Sequence, residues 1–495
     1  MSQTSVSVIG SGIGGLSVAI RLAISGFDVT VYEKNDRPGG KLSLLEQQGY
    51  RFDTGPSLFN QPANIEELFV LAGEPIEAYF SYHPVDISCR YFFENGKTIN
   101  AYTKSADFAR QMQDKAGESA AAIEDYLRNS EKVYDRVGNI FLNYSLHKRS
   151  TWLNKRIIPA VKQTGFDYIF RTLDQFNKSR LRTPEAVQIF NRFATYNGSN
   201  PYQAPGMLSL IPHLEQNQGT FYPRGGMISI IDALYKLAIK KGVCFKFGVK
   251  VESILTENNA VKSIVVNGEE IPSDLVVSNV DVYYTYLHLL KDKVRAAKVL
   301  KRERSSSALI FYWGIAKEFP SLYLHNIFFS KDYPAEFRHL FELKKMFSDP
   351  TIYINITSKL EPEHAPQGKE NWFVMLNAPA GSEIFTKEMI QQARVNILTK
   401  LNRMLGVDLE PLIETEETLT PGDIEAKTDS YMGSLYGTSS NSKWAAFLRH
   451  PNFSSGLSGL YFTGGSVHPG GGIPLCMKSA KIVSELILDS RLKRQ

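Results

Sequence analysis

A chain of 495 residues, 43% hydrophobic and 22% charged, is long enough to bury a large core and to divide into about two or three domains. Its formal net charge of +5 is mild and no nucleic-acid-binding motif accompanies it, which argues against DNA or RNA as a partner. The three cysteines (Cys89, Cys244, Cys476) make no C-x-x-C and the nine histidines no ligand spacing, so no metal is expected and a reducing cytoplasm is. No run of about 18 apolar residues predicts a transmembrane helix. The apolar N-terminus, broken by Gly10, Gly12, Gly14 and Gly15, has no basic leader or cleavage site, so no signal peptide is expected.

The first elements lie in "SVSVIGSGIGGLSVAIRLAISGFDVTVYEKNDRPGGK", Ser5 to Lys41. This reads as a strand, a glycine turn, a helix, a second strand ending at Glu33, and a cluster of Arg37, Gly39, Gly40 and Lys41. Gly10, Gly12 and Gly15 fit G-x-G-x-x-G. The first permits the tight turn, the second lets a pyrophosphate approach, and the third lets helix and strand pack closely. The helix start offers unpaired N–H groups and partial positive charge. Glu33 follows Gly15 by 18 residues, near the spacing of about 20 at which a carboxylate meets a ribose hydroxyl. Such an acid disfavours a phosphorylated ribose. Asp53-Thr54-Gly55-Pro56 comes next.

The pattern G-x-G-x-x-G…E-x-x-x-R-x-G-G-K resembles the glutathione-reductase-like FAD enzymes, in the branch that includes amine oxidases, protoporphyrinogen oxidase and carotenoid desaturases. The resemblance implies an α/β fold: a Rossmann-like FAD-binding domain, a sheet-bearing substrate domain and a helical, membrane-facing region. It implies FAD as cofactor, held at this end by Gly10, Gly12, Ile13, Gly14, Gly15, Glu33, Lys34, Arg37, Gly39, Gly40 and Lys41.

Further along, the segment from Ile140 to Arg182 is basic and aromatic. Lys148, Arg149, Lys155, Arg156, Lys162, Arg171, Lys178, Arg180 and Arg182 face only Asp167 and Asp174, with Phe141, Tyr144, Trp152, Phe166, Tyr168, Phe170 and Phe176 interleaved. That pattern suits an anionic lipid interface, where each basic residue contributes about 1 kcal/mol. A solvated helical face with buried aromatics is the plainer alternative. "FNRFATYNGSNPYQAPG", Phe190 to Gly206, supplies Tyr196, Asn197 and Ser199 as polar groups in a stretch otherwise shaped for packing.

Thr220 to Asp281 reads as a helix followed by short strands. Within it "VCFKFGVKVESI" alternates in part, as a strand at a sheet edge does, and "SDLVVSNVD" reads as a buried strand leaving into a polar turn. In the FAD family this block returns to the nucleotide domain with the residue matching Val251 beside the adenine. "SSALIFYWGIA" and "LYLHNIFFS" are apolar strands suited to lining a tunnel. Close to the C-terminus, "GLYFTGGSVHPGGGIPLCMKSAKIVSELIL" gives a strand, two glycine clusters and a helix from about Pro474. Gly464 and Gly465 are candidates for the diphosphate or ribityl chain. The helix start at Gly472, Ile473, Pro474 and Met477 is a candidate to stabilise negative charge on a reduced flavin. Gly465 offers no carboxylate where the family often has Asp or Ala. The domains follow as 1–70, 216–284 and 426–495 for FAD, 71–110 and 285–425 for substrate, and 111–215 as the helical region.

Three stretches are similar to bacterial carotenoid desaturases: Asn200 to Met227, "LVVSNVD" and "VHPGGGIP". Phe190 to Gly206 resembles the branch acting on acyclic carotenoids hydroxylated at C1, the 3,4-desaturases. The resemblance implies removal of a hydride to flavin N5 and of a proton, introducing a C=C bond. The flavin carries the hydride transfer. His468, beside the last glycines, is the one candidate catalytic side chain, with a loop-bound structural histidine as its alternative. Tyr196, Asn197 and Ser199 are the substrate-binding candidates. Expected partners are a hydrophobic carotenoid, a peripheral membrane surface on the inner face of the cell membrane, and an electron acceptor such as oxygen or a quinone. Three other readings stay open: a phytoene- or lycopene-type desaturase, a flavin amine or porphyrinogen oxidase, and a non-enzymatic prenyl carrier of the GDP-dissociation-inhibitor type.

Overall fold

The computed structural model describes residues 3–152, 165–381, 385–442 and 449–492. Five short strands form a wholly parallel sheet in the order Leu460–Phe462, Leu275–Ser278, Ser5–Ile9, Asp28–Tyr32, Cys244–Lys246. The three central strands are rich in β-branched residues and largely buried, as parallel strands are, whereas the edge strand Cys244–Lys246 is exposed at both its ends. Alternation sends Val6, Val8, Val29, Val31 and Val277 to one face and Ile9, Tyr32, Val276 and Phe462 to the other. The first face packs on the helices Ile13–Ile24, Ile228–Lys240 and Ile473–Leu492. The second is covered by a three-stranded antiparallel sheet, Val251–Glu257, Ala260–Val266 and Glu269–Pro272.

The stretch expected to be one alternating edge strand divides here. Cys244–Lys246 is the parallel edge strand, and Val251–Glu257 belongs to the antiparallel sheet. The reason is the turn between them. Gly248 has φ +66° and its N–H bonds to Asn35 O at 2.9 Å, while Val249 N–H bonds to Glu33 O at 2.8 Å. The redirected chain brings Val249 to Val251 against the end of the second strand.

A seven-stranded sheet, antiparallel but for one pair, has the order Ile413–Leu419, Ser307–Ile315, Glu370–Ala378, Ile352–Asn355, His325–Phe328, Ile87–Phe92, Thr98–Tyr102. One of its faces (Leu309, Phe311, Trp313, Val374, Leu376) packs on Ala393, Ile397 and Leu401 of the helix Lys387–Leu405. From the same strands Ala308, Ile310, Tyr312 and Met375 face a cavity. So the strand Ser307–Ile315 lines a tunnel with every second residue only.

Short helices fill much of the chain between the Thr98–Tyr102 strand and Asn217. Ser105–Ala116 and Ala120–Val133 bury Phe108, Met112, Ile123, Tyr126 and Leu127 at helical spacing. Among the described residues no helix is long and apolar enough to cross a membrane. In the basic, aromatic segment Tyr168 and Phe176 are core, whereas Tyr144, Trp152 and Phe170 are 47%, 39% and 54% exposed. Arg171 reaches Asp167 and Lys178 reaches Asp174 because i,i+4 spacing puts them side by side, and Arg180 reaches the same Asp167 from a later element. Lys155, Arg156 and Lys162 lie outside the described residues.

Candidate active site

One cavity of about 900 Å³ runs from the C-terminal ends of the parallel strands to the inner face of the seven-stranded sheet. The carboxyl end of a parallel sheet is where such folds bind ligands. Gly10 leaves the first strand with φ +92° and donates its N–H to Tyr32 O at 2.8 Å. A Cβ on Gly15 would lie 2.0 Å from Gly10 O, so this glycine serves helix–strand packing, as its place in the motif predicts, and does not reach the cavity wall.

Gly12, Ile13 and Gly14 do line the wall, with Gly39, Gly40, Gly464, Gly465, Gly472, Ile473 and Pro474. Two helix starts, Ile13–Ile24 and Ile473–Leu492, therefore open on the same space with unpaired N–H groups. Gly40 faces Gly12, where a Cβ added on Gly40 would meet Gly12 Cα at 3.4 Å. These glycines form a cradle that side chains would fill, and the cradle fits a dinucleotide.

Glu33 is buried beside it. Its carboxylate accepts from Ser11 N and Oγ, both at 2.8 Å, and from Asn35 N and Nδ2 at 3.0 and 2.8 Å. A carboxylate offers about four lone-pair sites, so a ribose hydroxyl reaching Glu33 displaces one of these donors. Lys34 and Arg37 lie at the rim, Lys34 paired with Asp429 at 2.8 Å. Val251 lines the same end. Lys41 donates to the carbonyls of Leu435 and Ser434 at 2.8 and 3.2 Å. Burial lowers its pKa to about 8, against the pull of Asp281.

Three further expected site residues are placed elsewhere. Met477 is 2% exposed and packs in the core, because Ile473 to Cys476 complete the turn that faces the cavity. Ser199 does not line the cavity either: its hydroxyl accepts from Ser440 N at 2.8 Å and donates to Asn197 O at 3.1 Å. His468 donates from Nε2 to Tyr144 O at 2.9 Å and lies off the cavity wall. Burial lowers its pKa to about 4, so the ring is neutral, and it binds the Tyr144 loop away from the cavity wall.

Tyr196 and Asn197 do reach the cavity, beside Thr195, Ile211, Leu214, Ile327, Tyr333 and Tyr353. Sequence reasoning missed their neighbour Arg192. Its Nη2 donates to Tyr91 OH at 2.8 Å and Tyr196 OH at 3.2 Å, and pairs with Glu215 at 3.4 Å. The Tyr196 hydroxyl itself donates to Glu215. Burial opposes the Arg192 charge, but Tyr196, Tyr91 and Glu215 outweigh it and keep the guanidinium protonated. The available signal was a lone arginine four residues before Tyr196 in an apolar stretch. Asn279 was also missed: it follows the strand Leu275–Ser278, and its side chain lies against Gly10, Gly12, Gly14 and Gly464.

The family model for "Flavin containing amine oxidoreductase" matches residues 13–488. The chain is 48% identical to a 1-hydroxycarotenoid 3,4-desaturase of a Flavobacterium species, over 97% of this chain and 98% of that protein. It is 36% identical to a 4,4'-diapolycopene oxygenase of a Methylomonas species, over 98% of both chains. The fold is similar to that of a putrescine oxidase solved with putrescine bound, with a TM-score of 0.63 at 12% identity over 99% of both chains.

Proposed function

The chain belongs to the family of flavin containing amine oxidoreductases, and from that premise we propose that it desaturates an acyclic carotenoid at C3–C4 of an end hydroxylated at C1. It is an FAD-dependent oxidoreductase. The observation that carries the substrate reading is a single cavity with a glycine cradle at one end and an aliphatic and aromatic wall at the other, in a chain that matches a relative of that activity over nearly its full length.

FAD supplies the hydride acceptor when bound. The chain's own part is to hold the polyene, exclude water and keep the reacting carbons in one orientation. Ile310, Tyr312, Ile327, Tyr353 and Met375 give the wall for that. Lys41 adds a positive charge near the glycine end beside Asp281, whose own ion-pair partner is Arg304. Overall the substrate would lose two hydrogens, one as hydride and one as a proton, and reduction of a terminal acceptor such as oxygen or a quinone would take up both the electrons and the protons.

A substrate this apolar is collected from a lipid phase. Tyr144, Trp152 and Phe170, exposed among basic residues, support peripheral binding to an anionic membrane face.

The test supplies purified protein and FAD with acyclic carotenoids in vesicles and follows the products by chromatography and mass. Loss of two hydrogens with a lengthened chromophore is the expected result, and no change of chromophore overturns the reading. The Methylomonas relative favours a second reading, oxygen insertion, which a product of added oxygen mass would reveal.

A further inference from the structure

Two hydroxyls and a histidine form one hydrogen-bonded chain at the cavity wall. Ser57 Oγ lies 2.7 Å from the Tyr353 hydroxyl, which lies 2.8 Å from His325 Nδ1. Asn355 fixes the direction of the hydrogens. Its Nδ2 donates to Leu324 O at 3.0 Å and lies 3.1 Å from His325 Nδ1, so Nδ1 is an acceptor. Tyr353 therefore donates to His325 and Ser57 donates to Tyr353, and Ser57 Oγ ends the chain as an acceptor. Ser57 and Tyr353 are half-buried and line the cavity, whereas His325 is 1% exposed and does not line it.

The chain stands where the glycine cradle meets the apolar wall. Gly55, two residues before Ser57, packs on the cradle: a Cβ there would lie 1.9 Å from Lys41 O. Tyr353 belongs to the wall, paired with Ile327 on one side and Met375 on the other, and both of these line the cavity. The reacting carbons must reach both regions, since the cradle fits the flavin and the wall holds the polyene. The carboxylates that line the cavity are engaged or exposed. Glu33 serves four donors, Asp281 pairs with Arg304, Asp429 pairs with Lys34, and Asp36 and Glu417 face solvent.

We propose that Ser57, Tyr353 and His325 take up the proton that desaturation releases, with Ser57 meeting the substrate and His325 as the final acceptor. The proposal rests on the desaturase reading above and adds where the proton goes. Hydride leaves from the allylic carbon, because the positive charge left there spreads along the polyene. The C–H bond on the neighbouring carbon then breaks, and its electron pair becomes the second bond of the C=C and removes the charge. The proton bonds to Ser57 Oγ while Ser57 passes its own to Tyr353 Oη and Tyr353 its own to His325 Nδ1. The imidazolium returns the proton along the same chain to water when product leaves. Burial holds the Tyr353 phenol well above its usual range, so it carries a proton to pass on. Burial, with the charge of Arg192 adding to it, lowers the His325 pKa to about 3, so the ring is neutral and free to accept. Proton transfer follows the difference in acidity, so a weak base suffices against a carbocation and lets the proton go again afterwards.

The test uses the FAD-loaded protein and a C1-hydroxylated acyclic carotenoid, unlabelled or deuterated only at the non-allylic carbon of the new bond. Flavin bleaching without oxygen gives the single-turnover rate, and the absorption shift of the carotenoid gives Kd. Tyr353→Phe removes one hydroxyl and leaves Asn355 on His325 Nδ1, so the fold is kept. It should slow bleaching by about 100-fold or more, raise the isotope effect at the labelled carbon above the wild-type value, and leave Kd unchanged. His325→Gln keeps an acceptor for Tyr353 but cannot hold the proton, and should behave alike; Tyr353→Phe decides alone if this variant does not fold. A wild-type rate in Tyr353→Phe, or a slower one with its isotope effect unchanged, overturns the relay. So does a loss that lies all in Kd, which would make these groups a reader of the substrate's hydroxyl. Imidazole nitrogen NMR of the same protein should show His325 with its proton on Nε2, and a proton on Nδ1 reverses the chain and overturns the relay. A wild type that binds the carotenoid and desaturates nothing overturns the desaturase reading and the relay with it.

Discussion

Gly14 and Gly464 meet the same atom: a Cβ built on either would lie 2.6 Å from Oδ1 of Asn279. The first glycine turn, the last glycine turn and the end of the strand Leu275–Ser278 are thus closed on one another by a single amide. That contact joins sequence segments 450 residues apart into one cradle.

Gly14→Ala is therefore expected to reduce flavin retention. The added methyl also comes 3.0 Å from the Gly464 backbone nitrogen, which cannot swing aside. Overpacking of this kind costs about 1–3 kcal/mol. Flavin-to-protein ratio after gel filtration measures it, and a ratio equal to wild type would show that the cradle tolerates a Cβ.

Glu33→Gln should weaken both the turn and the flavin. The carboxylate serves two donors of Ser11 and two of Asn35, and an amide replaces one accepting oxygen by a donor. Hydrogen bonds to a charged group contribute about 1.5–3 kcal/mol. Unchanged occupancy at low flavin concentration would remove Glu33 from the site.

Ser199→Ala separates packing from recognition. It strands the buried Ser440 N–H, at a cost of about 1–3 kcal/mol. Denaturant melts should report that loss, while preference for a hydroxylated carotenoid stays at the wild-type value. A loss of preference would return Ser199 to the substrate pocket.

Glu336 makes stability depend on pH. It is buried, accepts from Thr351 N at 3.0 Å and Thr351 Oγ1 at 2.6 Å, and burial raises its pKa from 4.5 to about 7. Between those values the folded state binds the proton more tightly than the unfolded chain, so this group's contribution falls as pH rises. The decline is about 3 kcal/mol in all and is complete near neutrality. Glu336→Gln keeps the protonated shape at every pH. Its stability relative to wild type should grow from pH 4.5 to 7 and then level off; a flat difference across that range would show that Glu336 titrates normally.

The membrane reading predicts flotation with anionic vesicles and less with neutral ones. Trp152→Ala with Phe170→Ala should cut the anionic binding several-fold, since both rings are exposed. Equal binding to the two lipids, or none to either, would leave these aromatics as ordinary surface.

The nucleotide end was legible because its constraints are local. A residue such as Gly10, with φ +92°, and a carboxylate at the end of the second strand announce themselves within a few dozen positions. Facing direction was less legible. Tyr196, Asn197 and Ser199 are near neighbours in sequence, yet only the first two reach the cavity, because the helical turn ends at Asn197 and the left-handed Gly198 sends the third toward Ser440. Met477 failed for the same reason, one position beyond the helical turn that faces inward. His468 looked exposed to chemistry by its place beside glycines, and only the packed loop at Tyr144 revealed what its ring binds.

Sequence by itself determined the parallel nucleotide sheet, its glycine turns and the apolar strands, since backbone conformation and alternation are written in adjacent residues. Tertiary structure alone decided which polar groups share a wall. Arg192, Tyr196 and Glu215 come from three separate elements, and the hydrogen bonds that join them exist only after those elements have packed and taken the groups out of water.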